Sequence, residues 1–423
     1  EITYFICWKN MEKDTQFRKN FIWNTLGTGL NAFNSLFFMI IATRVNGIEQ
    51  AGVFTIAFST ACILYAIGLY AGRVYQVTEL DEKISDKDFI INRIITCFSM
   101  IVFLILFCIF RKYNLEKTVI FLLLTIYKAL EAFSDTIYGI LQKHDKLDIV
   151  GKSLFIKSLL SILLFLIIDL LIGNIIVAII SMIIICVIIN ITYDFRKAYK
   201  YVDFKQKINW ENVINILKKG FFVFAISFLG MYVVNAPKYS IDSYLTSDFQ
   251  TIFGIIVMPA TIMSLVAQFL IHPYLNQIVE LYKTKNLKGL EKLILKMLGI
   301  IGCFGVLATI LGYILGTQIL GLIYGIDLSM YKIGLSIIII SATLYTIGTV
   351  CSSILTTVRE TFSQFVIYVG VSIFAYIIST ILTKYIGING SIIAYFFIMV
   401  SQALSYFIYT KIKLKKIFVE DKK

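Results

Sequence analysis

Five polar side chains recur down one apolar stretch: Lys128, Glu131, Asp135, Tyr138 and Gln142. Their spacings alternate between three and four residues, the rhythm that stacks side chains on one stripe of an α-helix. An ionised group inside such a stretch costs a few kcal/mol unless it faces a partner or a wet cavity. Two readings compete, a structural Lys128–Glu131 pair that ties helices together and a cavity wall. The stripe continues to Gln142, further than one pair requires, and so reads as the wall of a water-accessible cavity. Weaker stripes run through Asn24, Gly27, Asn31 and Asn34, through Asn235, Lys238 and Asp242, and through Tyr345, Thr349, Ser352, Thr356 and Arg359. Small polar residues at such positions also serve helix packing.

The cations near this polar set are Arg44, Arg73, Lys128, Lys238 and Arg359. They suit an anionic partner, and a guanidinium meets a phosphate in planar, bidentate fashion. Glu131 and Asp135 offset Lys128, and carboxylates in that position equally suit uptake of a proton or a cation. The residues leave both roles open. Enzyme signatures fail one by one. Gly151-Lys152-Ser153 ends like a phosphate-binding loop, but Lys146 stands where that motif needs glycine. The two histidines, His144 and His272, lie far apart in sequence without a zinc-protease pattern, and the seven cysteines are scattered, so no metal site and no catalytic residue is expected. No Gly-x-Ser-x-Gly elbow occurs.

The elements that carry these residues follow from composition. Of 423 residues, 58% are apolar, 15% are charged and three are proline. A soluble domain is about 25% charged and a disordered chain is poorly hydrophobic, so both classes are excluded. A polytopic membrane protein remains. Its apolar runs are of helix-spanning length and do not alternate with polar residues, which predicts an all-α integral membrane protein. Twelve spans are predicted, over 21–43, 52–72, 92–110, 118–141, 153–172, 174–193, 213–236, 249–272, 293–315, 333–357, 363–383 and 387–410.

The 39 Lys and Arg residues then sort by side. Arg44, Arg111, Lys112, Lys117, Lys238, Lys332 and Lys384 fall on one side, Arg73 and Lys128 lie within spans, and the rest gather on the other side with the two tails. The positive-inside rule makes that side, and both termini, cytoplasmic. The basic loops therefore report topology, and no nucleic-acid partner is expected. The long basic loop around 194–212 divides the spans six and six. It predicts an N-terminal lobe over 11–200 and a C-terminal lobe with a basic tail over 201–423, preceded by residues 1–10 as a tail of uncertain origin. No signal-peptide pattern is evident. Pro237, Pro259 and Pro273 cluster around the seventh and eighth spans and are candidate hinges, since proline removes a helix donor.

The stretch Glu131-Ala-Phe-Ser-Asp135, with Tyr138 to Gln142 and Asp148 to Ser153 after it, resembles the fourth helix of Wzx-type polysaccharide flippases. That family belongs to the multidrug/oligosaccharidyl-lipid/polysaccharide exporter superfamily, which it shares with the multidrug and toxic-compound extruders. Asn235-Ala-Pro237-Lys-Tyr239-Ser-Ile-Asp242, the later Gln250, Phe253-Gly254, Met258-Pro259 and Pro273, and Gly72-Arg73-Val-Tyr-Gln76 resemble other parts of the same family. The resemblance covers Met11 to about residue 410.

It implies a MATE-like transporter of twelve helices in two six-helix lobes, which flips undecaprenyl-pyrophosphate-linked oligosaccharide across a bacterial plasma membrane by alternating access. Under it, Arg73, Lys128, Lys238, Arg44, Arg359, Asn31 and Asn235 contact the substrate. Glu131, Asp135, Tyr138, Gln142 and Asp242 line the cavity or serve coupling. No cofactor is implied, and the energy source would be H⁺, Na⁺ or the membrane potential. Membrane lipid and other polysaccharide-assembly proteins are the implied partners. The competing functions are an H⁺- or Na⁺-coupled small-molecule antiporter on the same fold and, further off, a membrane polymerase or glycosyltransferase. Loss of surface polysaccharide export in Lys128→Ala, with the protein still inserted, is the expected outcome.

Overall fold

In the computed structural model, residues 2–70, 72–78 and 84–420 are described, except the side chains of 2–14, 74, 266–273, 275–276 and 417–420. Among the described residues there is helix and no strand. Helix α1 spans Ile2–Leu69 and is followed by the short α2 (Gly72–Thr78), α3 (Asp86–Arg111), α4 (Leu115–Lys143), α5 (Leu147–Ile172) and α6 (Ile175–Ile189). A π-turn over Asn190–Phe195 leads into α7 (Arg196–Ala198). Then come α8 (Trp210–Tyr244), α9 (Ser247–Lys283), α10 (Leu287–Leu311), α11 (Thr317–Tyr324), α12 (Lys332–Thr357), α13 (Thr361–Ile386) and α14 (Ile388–Glu420).

Ten of these helices are long and apolar enough to cross a membrane. The first two expected spans both lie in α1, which breaks at Gly47, where φ is 82° and only glycine sits without strain. The fourth expected span is α4, whose apolar run is interrupted by Lys128, Glu131 and Asp135 and which is not one of the ten. Large apolar side chains stay exposed on α3 and α5, among them Phe98, Phe110, Leu170 and Leu171, as a lipid-facing surface requires. The chain is a multi-pass helical membrane protein. Residues 2–10 continue the backbone of α1 with their side chains outside the described residues, and residue 1 lies outside them altogether.

Two compact units divide inside α8, after Phe224, whereas the expected lobe boundary at 200/201 falls in the preceding loop. In the first unit, α4 packs against α1, α3 and α6, and α1 runs along α5. Gly27 and Gly151 make that last approach possible. A methyl group on Gly27 would collide with the Gly151 carbonyl, and one on Gly151 with the backbone of Trp23 and Asn24. The core beside this crossing is aromatic, with Phe38 on Phe165 at 5.3 Å and Phe54 stacked on Phe58 at 5.7 Å.

In the second unit, α12 packs on α9 and α14, and α14 on α13, around buried Phe253, Tyr368, Tyr395 and Tyr406. Pro237 lies inside α8, and α9 continues through Pro259. Pro273 lies in the same helix with its side chain outside the described residues.

Candidate functional site: a charged cavity in the first unit

Asn114 caps α4 by accepting from the Lys117 amide, and the helix then runs for 29 residues. At about 1.5 Å per residue, Lys128 sits about 20 Å from either end. Its ammonium lies 2.6 Å from Glu131 Oε2, one turn on. The same ammonium faces the rings of Phe58, Tyr65 and Tyr127 at 4.9, 5.7 and 5.6 Å, a second source of stabilisation for a cation withdrawn from water.

One turn further, each oxygen of the Asp135 carboxylate meets a guanidinium at 3.4 Å, Oδ1 that of Arg73 on α2 and Oδ2 that of Arg93 on α3. The two arginines differ. Arg93 is 2% exposed and fixed, donating to the Gly68 carbonyl and to Thr136 Oγ1, each at 2.6 Å. Arg73 keeps a quarter of its side chain exposed, donates to Gln142 Oε1 at 3.0 Å and lies 5.9 Å from the Tyr138 ring. Lys143 and Gln76 also meet at Asp86, the first residue of α3, so α2 reaches the end of α4 directly through Arg73 and Gln142 and indirectly through α3.

A third pair lies beside the stripe. Lys157 on α5, 6% exposed, donates to Ser134 Oγ at 2.8 Å and Tyr138 OH at 3.0 Å, and also to Asn190 Oδ1 and Asp194 Oδ2. Asn190 and Asp194 come from the π-turn that ends α6. Tyr138 and Ser153 complete the network at 2.9 Å.

These groups enclose a cavity of ≈ 200 Å³, with Asn31, Arg73, Glu131, Asp135, Tyr138 and Lys157 among its polar lining and Tyr65, Tyr127, Leu154 and Cys186 among its less polar lining. It is a mixed-charge, hydrogen-bonding chamber within a membrane-spanning bundle. Its most exposed cation is Arg73. Lys128 is not part of the lining, and Gln142 reaches the chamber through Arg73.

The other candidates fall elsewhere. Asn31 lines the chamber, whereas Asn34 is buried and donates to Ser158 on α5, so that stripe serves packing as well. Asn235 is buried and donates back to the Met231 carbonyl of its own helix. Lys238 and Asp242 are half-buried in the second unit, and Arg44 is exposed near the Gly47 break. Arg359 is exposed in the turn after α12 with φ of 60°. Ser352 and Thr356 bond Gln364 on α13. Among the described residues no cluster of His, Cys, Asp or Glu is arranged to hold a metal.

Two cations overturn the sorting of charge by side. Arg93 and Lys157, expected with the cytoplasmic flank, are buried within helices and hold Asp135 and Asp194. The reason is length. Helix α5 begins at Leu147, so Lys157 is about 15 Å along it and cannot act as a flanking charge. The available signal was Lys157 with Ser153, Ser158 and Ser161, a polar face on an otherwise apolar stretch.

No protein-family profile matches the chain. It is 26% identical over 315 residues to the capsular polysaccharide biosynthesis protein CapF of Staphylococcus aureus, a match over 73% of this chain and 77% of that protein. Several solved structures share its fold. A multidrug resistance MATE family transporter of the MOP superfamily, in an inward-facing conformation, has a TM-score of 0.68 at 15% identity over 93% of this chain and 95% of its own. A Vibrio cholerae MATE transporter in the bent form has 0.62 at 11% identity over 95% and 98%. A MOP superfamily transporter from Pyrococcus furiosus, distinguished by the reverse polarity of its binding pocket, has 0.58 at 15% over 95% of each chain. The fold of this chain is thus MATE-like.

Proposed function

We propose that the protein is a transporter of the bacterial plasma membrane that carries undecaprenyl-pyrophosphate-linked oligosaccharide from the inner to the outer leaflet, its two lobes giving alternating access. The observation that carries this reading is the chamber itself. A sugar-diphosphate headgroup needs a hydrogen-bonding, partly cationic path through the bilayer, while its lipid tail can stay in the hydrocarbon. Arg73, the accessible guanidinium, offers the planar contact a phosphate prefers. The likeness to a capsular polysaccharide biosynthesis protein and to MATE transporters supports the same reading. Lys238, Arg359, Arg44, Asn235 and Asp242 would act along the path outside this chamber, with Pro237, Pro259 and Pro273 as bending points.

The test is transfer of a lipid-diphosphate-linked oligosaccharide across reconstituted vesicles, with and without an imposed pH gradient. Wild type should exceed protein-free vesicles. Arg73→Ala should lose about ten- to a hundredfold of that rate, the worth of one charge-assisted hydrogen-bonded contact at about 1.5–3 kcal/mol. Transfer no faster than in protein-free vesicles would reject the function, and full transfer by Arg73→Ala would reject the residue's role.

A second reading has its own observation. Glu131 and Asp135 both line the chamber, which suits an antiporter that exchanges cationic small molecules for H⁺ or Na⁺. Efflux of a fluorescent cation from the same vesicles, lost in Glu131→Gln, would favour it.

A further inference from the structure

The groups around Asp135 serve different purposes. Arg93 is immobile, since two hydrogen bonds to Gly68 and Thr136 fix it whatever Asp135 does. Arg73 keeps a quarter of its side chain exposed and belongs to the seven-residue α2. The carboxylate between them forms neither bond in the short bidentate geometry that a dedicated Arg–carboxylate pair adopts. Each oxygen meets a separate guanidinium at 3.4 Å, where charge-assisted bonds are normally about 2.7–2.9 Å. Asp135 and Arg73 both line the chamber, so a second anion entering it approaches the Arg73 guanidinium, whereas the buried Arg93 stands behind Asp135 and is not part of the lining.

We infer that Asp135 is an internal competitor for an oxyanion site at the Arg73 guanidinium, with Arg93 as the anchor that holds Asp135. Without cargo, its carboxylate occupies the place of a phosphoryl group. A diphosphate headgroup displaces it from Arg73, which follows the cargo, while Arg93 retains Asp135 and keeps the displaced carboxylate from being stranded without a counter-charge. This deepens the proposed function and rests on it, because it assigns Asp135 to setting affinity for the phosphate part of the cargo. The consequence has an unusual sign. Removing a negative charge from a residue in the binding chamber strengthens binding of the cargo's headgroup. A carboxylate that bound a coupling cation would give the opposite result.

The experiment measures binding of inorganic pyrophosphate to the purified full-length protein by calorimetry at fixed ionic strength. Asp135→Asn should bind about tenfold tighter than wild type or better, as expected from withdrawing one charged competitor. Asp135→Glu, which keeps a carboxylate, should stay near wild type. Adding Arg73→Gln to Asp135→Asn should abolish the gain. Where Asp135→Asn does not give folded protein, Asp135→Ser carries the same expectation, with melting behaviour checked alongside. Unchanged or weaker pyrophosphate binding in folded Asp135→Asn or Asp135→Ser overturns the inference, as does a gain that survives loss of Arg73. Wild-type vesicle transfer measured in parallel separates the two claims: transfer without tighter binding defeats the competitor role alone, whereas absence of both transfer and pyrophosphate binding defeats the functional reading with it.

Discussion

Lys157→Met is the perturbation whose cost the structure defines best. The ammonium it removes is, among the described residues, the one hydrogen-bond donor to Asp194 Oδ2, and that side chain is fully buried. Asp194 Oδ1 has no hydrogen-bond partner among the described residues, so no second donor among them compensates the carboxylate. Breaking a buried pair from one side costs about 3–5 kcal/mol. Ser134 and Tyr138 also lose a donor, but both retain other partners, the Leu130 carbonyl and Ser153, so their losses add little. Replacing both members, in Lys157→Met with Asp194→Leu, removes the orphaned charge and should cost only about 1–2 kcal/mol, the donors lost to neutral neighbours. The assay is equilibrium unfolding of detergent-solubilised protein for the wild type, both single variants and the double. The expected coupling energy is at least about 2 kcal/mol, as for residues in one network. A single Lys157→Met loss below about 1 kcal/mol, or a double variant no better than the singles, would refute the account of this pair.

Further outcomes follow from other contacts. Gly151→Val forces a side chain into the backbone of Trp23 and Asn24 and should cost about 1–3 kcal/mol or more, read as lost monodisperse protein on size exclusion, while Gly370→Ala, which meets open space on α13, should be tolerated. In the turn after α12, the hydrogen bond from Lys413 at 2.7 Å, with Ser363 and Tyr409 also donating, holds the Glu360 carboxyl below its ordinary range. A depressed acid stabilises the fold fully above its unfolded pKa of about 4.3 and loses that contribution as pH falls through the lower folded value. The melting difference between wild type and Glu360→Gln should therefore be present at neutral pH and vanish in acid; an unchanged difference would contradict this.

Much of the architecture could be read from residue order, because the bilayer imposes long apolar runs and penalises charge within them. The helical spans and the Lys128–Gln142 stripe follow from those two constraints. What could not be read was partnership. Asp135 sits on the predicted face, yet its two guanidinium partners come from α2 and α3, and no periodicity along α4 points to them. Arg93 and Lys157 sit only one and four residues past the starts of the expected spans 92–110 and 153–172 and so read as flanking charges, but α3 and α5 begin six residues before those spans, which places both well inside the helices. Gly27 stood in an apparently polar stripe with Asn31 and Asn34, but its purpose is steric, since it lets α1 meet Gly151. Gly151 itself sits in a sequence resembling a nucleotide-binding loop and instead serves helix packing.

The widened turn at Asn190–Phe195 has a consequence for how this protein can change. It accommodates one residue more than a regular helix would need, and it carries both Asn190 and Asp194, the partners of Lys157. Deleting one residue between Asn190 and Asp194 would restore ordinary winding but turn Asp194 by about 100° around the axis relative to Asn190, away from its base. Such a deletion would leave an ammonium stranded inside the bilayer. Descendants of this chain are therefore expected to keep the insertion, the acid and the lysine as a set, or to discard all three together.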